Sequence, residues 1–127
     1  MRPLRALIVD DVEFIRSMMR EILSRSDRFE IVGEAGDGMT AVERYELLRP
    51  DFVTMDLVMP GVHGVDGIEA IHRILELDPD ATIVVASAPG QEALVIEAIA
   101  AGARDFLVKP FTPDTVLGVL ENVLEPA

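Results

Sequence analysis

Phe52-Val53-Thr54-Met55-Asp56-Leu57-Val58-Met59-Pro60 reads as a short strand that carries an acid to its end. Phe52, Val53 and Met55 make an apolar run of strand length. Asp56 stands where that run leaves the sheet, and Pro60, lacking an N–H, prevents further pairing. A carboxylate there is expected to be exposed at a strand end. One Asp in that place is most simply a turn former. The other strands, however, end in polar residues of complementary chemistry.

Upstream, Leu4 to Val9 is a continuous apolar run rich in branched residues, as in a strand covered on both faces, and it ends in Asp10-Asp11. Ile15, Met18, Met19, Ile22 and Leu23 then recur as one helical stripe, with Glu13, Arg16, Arg20 and Glu21 on other faces. Asp11 fits the N-cap of that helix, which leaves Asp10 unexplained. Glu30 to Ala35 reads as a more polar edge strand. After the turn Gly36-Asp37-Gly38, a second stripe of Ala41, Val42, Tyr45 and Leu48 stops before Pro50.

Downstream of Asp56, Ile68, Ile71, Ile74 and Leu75 form the inward face of a third helix that ends near Asp78-Pro79. Thr82 to Ala86 is strand four, ending at Ser87-Ala88. Helix four runs from Gln91 to Ala101, burying Leu94, Val95, Ala98 and Ile99, with Gly102 as its C-cap. Asp105 to Val108 is a short buried strand leading into Lys109-Pro110. Thr112 and Pro113 start the last helix as N-cap and first helical residue, and Val116, Val119, Leu120 and Val123 are its stripe. Glu125-Pro126-Ala127 closes the chain, and nothing in it resembles an output domain.

Five strands, each followed by a helix through short loops, imply an α/β fold: a doubly wound, five-stranded parallel sheet covered on both faces by five helices. In such sheets ligands sit beyond the carboxyl ends of the strands, where the strand order reverses. With the order 2-1-3-4-5, Asp10, Asp11 and Asp56 converge on one crevice, and Ser87 and Lys109 stand at the next two strand ends.

Composition narrows the chemistry. A chain of 127 residues with a net charge of -12 fits one soluble domain and argues against binding the phosphate backbone of nucleic acid. No cysteine is present, so thiol nucleophiles and thiolate metal sites are excluded, and a reducing compartment is compatible. Ala6 to Val9 is too short for a signal peptide, and no apolar run reaches the roughly 20 residues that a membrane span needs. A soluble, cytoplasmic protein without membrane insertion is expected.

Three carboxylates within about 4 to 6 Å of one another repel by several kcal/mol at an effective dielectric near 20, so the cluster should demand cations. All-oxygen ligation points to Mg²⁺, with Mn²⁺ as the alternative. Lys109 adds a point charge and Ser87 a hydroxyl donor. A carboxylate nucleophile, a divalent ion, a lysine and a hydroxyl are the parts needed to accept a phosphoryl group, and Asp56 is the acceptor this reading selects.

Leu7-Ile8-Val9-Asp10-Asp11, Met55-Asp56-Leu57-Val58-Met59-Pro60, Ser87-Ala88 and Lys109-Pro110-Phe111, in that order, resemble the receiver domain of two-component response regulators over essentially the whole of residues 1-127. Gly90-Gln91 and Val95-Ile96-Glu97-Ala98-Ile99 to Gly102-Ala103 are most similar to the single-domain, CheY-like chemotaxis type. The strand order used above is that of this family and comes with the resemblance. The resemblance implies that Asp56 takes a phosphoryl group from a CheA-like histidine kinase. It implies Asp11, Asp56 and the Val58 backbone carbonyl as Mg²⁺ ligands, with Asp10 acting through water, and Lys109 as partner of the phosphoryl oxygens. It further implies a cis peptide bond between Lys109 and Pro110. Ser87 and Phe106 would be switch residues, remodelling the face of helix four, strand five and helix five for a target such as a flagellar motor switch protein. A phosphatase belongs among the partners, and a monomer is expected.

Two features depart from the family pattern. Gly61-Val62-His63-Gly64-Val65-Asp66-Gly67 looks like the family loop with one tripeptide duplicated, so Gly64 or Gly67 is the family glycine and helix three is expected to begin a turn early. His63 in that loop reads as solvated. Val58 and Pro89, two residues after the acceptor and after the switch serine, are apolar and unable to orient an attacking water, which implies slow self-dephosphorylation. Rival readings are a non-phosphorylated pseudo-receiver, a Mg²⁺-dependent phosphatase of the haloacid dehalogenase class and a flavodoxin-like flavin binder. The second wants an acid where Val58 stands. The third wants a hydroxyl- and glycine-rich loop where Asp10 and Asp11 stand.

Overall fold

A computed structural model describes residues 2–124, so the expectation for Glu125-Pro126-Ala127 lies outside the described residues. Strands β1 (Leu4–Val9), β2 (Phe29–Ala35), β3 (Phe52–Asp56), β4 (Ile83–Ser87) and β5 (Asp105–Val108) alternate with helices α1 (Glu13–Ser24), α2 (Gly38–Leu48), α3 (Gly67–Leu77), α4 (Glu92–Ala101) and α5 (Pro113–Leu124). The sheet is parallel throughout, in the order β2-β1-β3-β4-β5.

The two-residue period of the central strands feeds two cores. Leu7, Val9, Val53, Met55, Ile83 and Val85 face one side and pack with Ala41 and Tyr45 of α2, Ala70, Ile71 and Ile74 of α3, and Ala98 of α4. Ala6, Ile8, Phe52, Val84, Ala86 and Leu107 face the other, against Met19, Ile22 and Leu23 of α1 and Val116 and Leu120 of α5. Each fully buried Leu, Ile or Phe contributes about 1.5 to 3 kcal/mol, which makes the sheet a rigid platform for whatever its strand ends carry.

The helix ends follow local chemistry. Asp37 caps α2 by accepting the Thr40 N–H at 2.8 Å, and Asp66 caps α3 by accepting the Glu69 N–H at 2.9 Å. The Thr112 hydroxyl accepts the Thr115 N–H at 3.3 Å, so the expected start of α5 stands. Gly102, with φ of 124°, ends α4.

Several expectations need correcting. The N-cap of α1 is Val12, without a side-chain bond, so Asp11 is not a cap. Ile99 is exposed, because the rest of the fold covers α4 along one narrow line, where Ala98 is buried and Leu94 and Val95 are only partly so. Strand β5 is an edge strand, and Phe106 and Val108 point outward from it. Helix α3 does not start a turn early. Its start is held at Gly67, and the extra residues form a tight turn from Val62 to Val65, with φ of 53° at His63 and 76° at Gly64. Two successive positive φ values mark a type I′ turn, and the Val65 N–H closes it on the Val62 carbonyl at 3.1 Å. Val65 is buried beneath, which pins the turn to the core, and His63 is exposed.

Candidate functional site

Because β1 and β3 pair with Val9 opposite Met55, the next residue of each strand, Asp10 and Asp56, is carried to the same end of the sheet. The Asp10 N–H continues the ladder to the Ala35 carbonyl at 3.1 Å, and its carboxylate Oδ1 accepts the Val12 N–H at 2.9 Å. That turn brings Asp11 around, so that one carboxylate oxygen from each of Asp10, Asp11 and Asp56 lies within 4.8 Å of the others. Lys109, just past β5, reaches back with Nζ 2.7 Å from Asp10 Oδ2 and 3.2 Å from Asp56 Oδ1. Asp56 Oδ1 also accepts the Val58 N–H at 3.3 Å.

The acids are more enclosed than a strand-end position suggested: Asp10 is 3% and Asp56 4% exposed, and Asp11 alone is open to solvent. Burial, and after it the Asp10 charge, pushes the Asp56 carboxyl up to about 6, against the opposing pull of Lys109. Burial works against the Lys109 ammonium, but its bond to Asp10 and the charge of Asp56 outweigh that and hold its pKa above the ordinary value.

Three carboxylates meeting one ammonium leave a deficit of positive charge, and the ligand atoms that Asp10, Asp11 and Asp56 offer are hard carboxylate oxygens. That donor set suits Mg²⁺, which takes one or two carboxylates and keeps positions for water and phosphate oxygens. Val58 is exposed directly after Asp56 and Leu57, and no acid occupies that position as a dehalogenase-type phosphatase would want.

Ser87 ends β4 beside this crevice, buried, with its carbonyl accepting the Lys109 N–H at 2.7 Å. It also lines a groove of about 260 Å³, otherwise walled mainly by apolar Ala88, Pro89, Val95, Ile96, Phe106 and Val108. Phe106 is 42% exposed there and is not a core residue. The Lys109–Pro110 peptide bond is cis. Gly67 packs so closely under the site that a Cβ on it would lie 2.6 Å from the Asp56 carbonyl and 2.8 Å from that of Leu57. Only glycine fits at Gly67, whereas Gly64 is in open space. Two polar features were not read from sequence. Thr54 is buried two residues before Asp56 and hence on its side of the sheet. Arg16, read as lying off the apolar stripe of α1, donates to the Asp10 carbonyl at 2.7 Å. A polar residue in an otherwise apolar strand was the available signal for the first. For the second there was none.

The sequence profile of the response regulator receiver domain matches residues 6–121. The chain belongs to that family. This receiver is 51% identical over 119 residues to chemotaxis protein CheY of Thermotoga maritima, with 94% of this chain and 96% of the relative covered. It is 48% identical over 120 residues to chemotaxis protein CheY of Bacillus subtilis, covering 94% and 97% of the two. Among solved structures, a chain of the CheX-CheY-BeF3-Mg²⁺ complex from Borrelia burgdorferi superposes on the receiver with a TM-score of 0.89 at 35% identity, over 98% of this chain and 91% of that one. The five-stranded receiver fold is therefore common to sequence and structure. Among the described residues no helix is long and apolar enough to cross a membrane.

Proposed function

We propose that this receiver acts as a response regulator that accepts a phosphoryl group on Asp56 from the phosphohistidine of a CheA-like histidine kinase. One Asp56 carboxylate oxygen forms a bond to phosphorus as the P–N bond to the donor imidazole breaks, and the imidazole nitrogen keeps the electron pair and takes a proton. Asp11, Asp56 and the Val58 carbonyl would hold Mg²⁺ directly, with Asp10 acting through water. The ion, when bound, supplies charge neutralisation for the transferring oxygens. Lys109 gives up its bond to Asp56 and pairs with the phosphoryl oxygens instead. Ser87 donates its hydroxyl to the same group.

The observation that carries this reading is the convergence of three acids and Lys109 at one end of the sheet, with the Asp56 carboxylate held beside the ammonium at 3.2 Å. For the output, Ser87 and Phe106 border one groove, so movement of the first frees space for the ring of the second. Exposed Ile96, Ile99, Phe106 and Val108 give the face of α4, β5 and α5 an apolar surface for a target, by family a flagellar motor switch protein. A protein of the kind seen with the Borrelia neighbour, CheX, is the second partner we propose. A phosphatase would act on an acyl phosphate that Val58 and Pro89 do not help to hydrolyse.

Intact-mass measurement after incubation with acetyl phosphate and Mg²⁺ tests the acceptor. Wild type should gain one phosphoryl group and Asp56→Asn none. Gain by the Asn variant, or no gain by either, overturns the assignment. The same sample, freed of acetyl phosphate, should keep its added mass for minutes rather than seconds.

A further inference from the structure

Asp10 and Asp11 are neighbours in sequence, and two adjacent side chains of an extended backbone ordinarily diverge. Their convergence has to be enforced by the peptide between them. That peptide is trans, so its carbonyl and its N–H lie in one plane with the two Cα atoms bearing the acids and point in opposite directions within it. Whatever fixes the Asp10 carbonyl fixes the plane, and with it the directions in which both carboxylates leave the chain. The Asp10 N–H is already held by the edge strand and its carboxylate by Val12. The carbonyl is held by Arg16.

Arg16 Nη1 donates to the Asp10 carbonyl at 2.7 Å, and Nε of the same side chain donates to Glu34 Oε1 at 3.3 Å. Glu34 lies on β2 opposite Ile8, two residues before Asp10, and its other oxygen accepts from Arg20. Arg16 has an 80% buried side chain, since only 20% of its side-chain surface is exposed, and it is therefore a fixed strut and not a solvated arginine. It spans from the edge strand to the bend that bears the acids. A planar guanidinium can hold two acceptors at a set angle, and an ammonium cannot.

We propose that Arg16, oriented by Glu34, is a positioning residue for the acidic site: it sets the Asp10–Asp11 peptide and so prepares the acids to receive the divalent cation. The inference rests on the proposed function in that Mg²⁺ is the ligand. Electrostatics alone predicts the opposite sign, because a positive charge near the crevice weakens cation binding and its removal should strengthen it. Positioning predicts that removal weakens it.

Titration calorimetry with Mg²⁺ alone on the full chain, for wild type, Arg16→Lys and Arg16→Gln, distinguishes the two. Loss of an outer partner of a metal ligand typically costs about tenfold or more in affinity, and Arg16→Gln should show that loss, with Arg16→Lys between it and wild type. At saturating Mg²⁺ the acetyl phosphate reaction of Arg16→Gln should recover most of its rate. Unchanged or tighter Mg²⁺ binding by Arg16→Gln, even with a lowered urea midpoint, overturns the proposal and leaves Arg16 a structural residue. Should Arg16→Gln not fold, Arg16→Lys carries the test, and binding equal to wild type overturns it. If wild type takes up Mg²⁺ and phosphoryl normally, failure of the variants to differ counts against Arg16 alone. A wild type that takes up neither overturns the reading of the site as well.

Discussion

Asp56 is ionised at neutral pH only against its surroundings. Its carboxyl, pushed up to about 6 by burial and then by Asp10, sits above the 3.8 of a free Asp, so its contribution to folding is fully present below about pH 4 and is lost as pH rises through 6. A shift of this size corresponds to about 2 to 3 kcal/mol against the metal-free protein at neutral pH. Asp56→Asn, which removes the charge and keeps the shape, should raise the urea midpoint at pH 7.5 in the presence of a chelator and leave it nearly unchanged at pH 4.5. Parallel profiles for wild type and variant between those pH values would refute this. Gly67 is the other residue on which the site depends sterically. A methyl group there meets two backbone carbonyls, one of them that of Asp56, and neither can rotate aside. Gly67→Ala should cost about 1 to 3 kcal/mol and slow phosphoryl uptake. Gly64→Ala, with φ of 76° but open space, should cost about 1 to 2 kcal/mol and leave uptake alone. Chemical denaturation with a mass-based phosphorylation time course separates the two.

At the scale of elements, α5 offers the simplest check. Its first turn is closed by Thr112, so Thr112→Ala should lower stability by about 1 kcal/mol, and Thr112→Ser by less, in thermal melts. The legible parts of this protein were those with a local signature: Thr112-Pro113 for a helix start, Leu4 to Val9 and Thr82 to Ala86 for covered strands, Gly102 for a helix end. The acids and Lys109 were legible because strand ends in a doubly wound sheet all fall on one rim. Geometry across elements was not. Arg16 carried no signal because its spacing says only that it lies off the apolar stripe and not that the Asp10 carbonyl comes within its reach. Ile99 was misplaced because a helical stripe does not reveal how much of its width the rest of the fold covers. The added tripeptide was visible, but its fate as a turn pinned by Val65, rather than as helix, depended on Gly67 holding α3 against Leu57.

For the molecule as a whole, a cation that binds the folded acids and not the unfolded chain stabilises by mass action, by about 2.7 kcal/mol at a hundredfold excess over its dissociation constant. Since protons compete for Asp56, the rise in thermal midpoint on adding Mg²⁺ should be larger at pH 7.5 than at pH 5. Equal rises would mean that Asp56 takes no part in holding the ion. A net charge of -12 also sets how partners arrive: association with a basic face should slow as salt is added, which stopped-flow mixing with the kinase would show. Finally, the Lys109 amide is fastened to the Ser87 carbonyl while the Lys109 ammonium grips the acids. One residue thus joins the reacting crevice to the outward-facing groove through two separate handles. Removing the serine hydroxyl leaves the Ser87 carbonyl and both of these handles in place, so Ser87→Ala should mute the signal reaching the target face without silencing it.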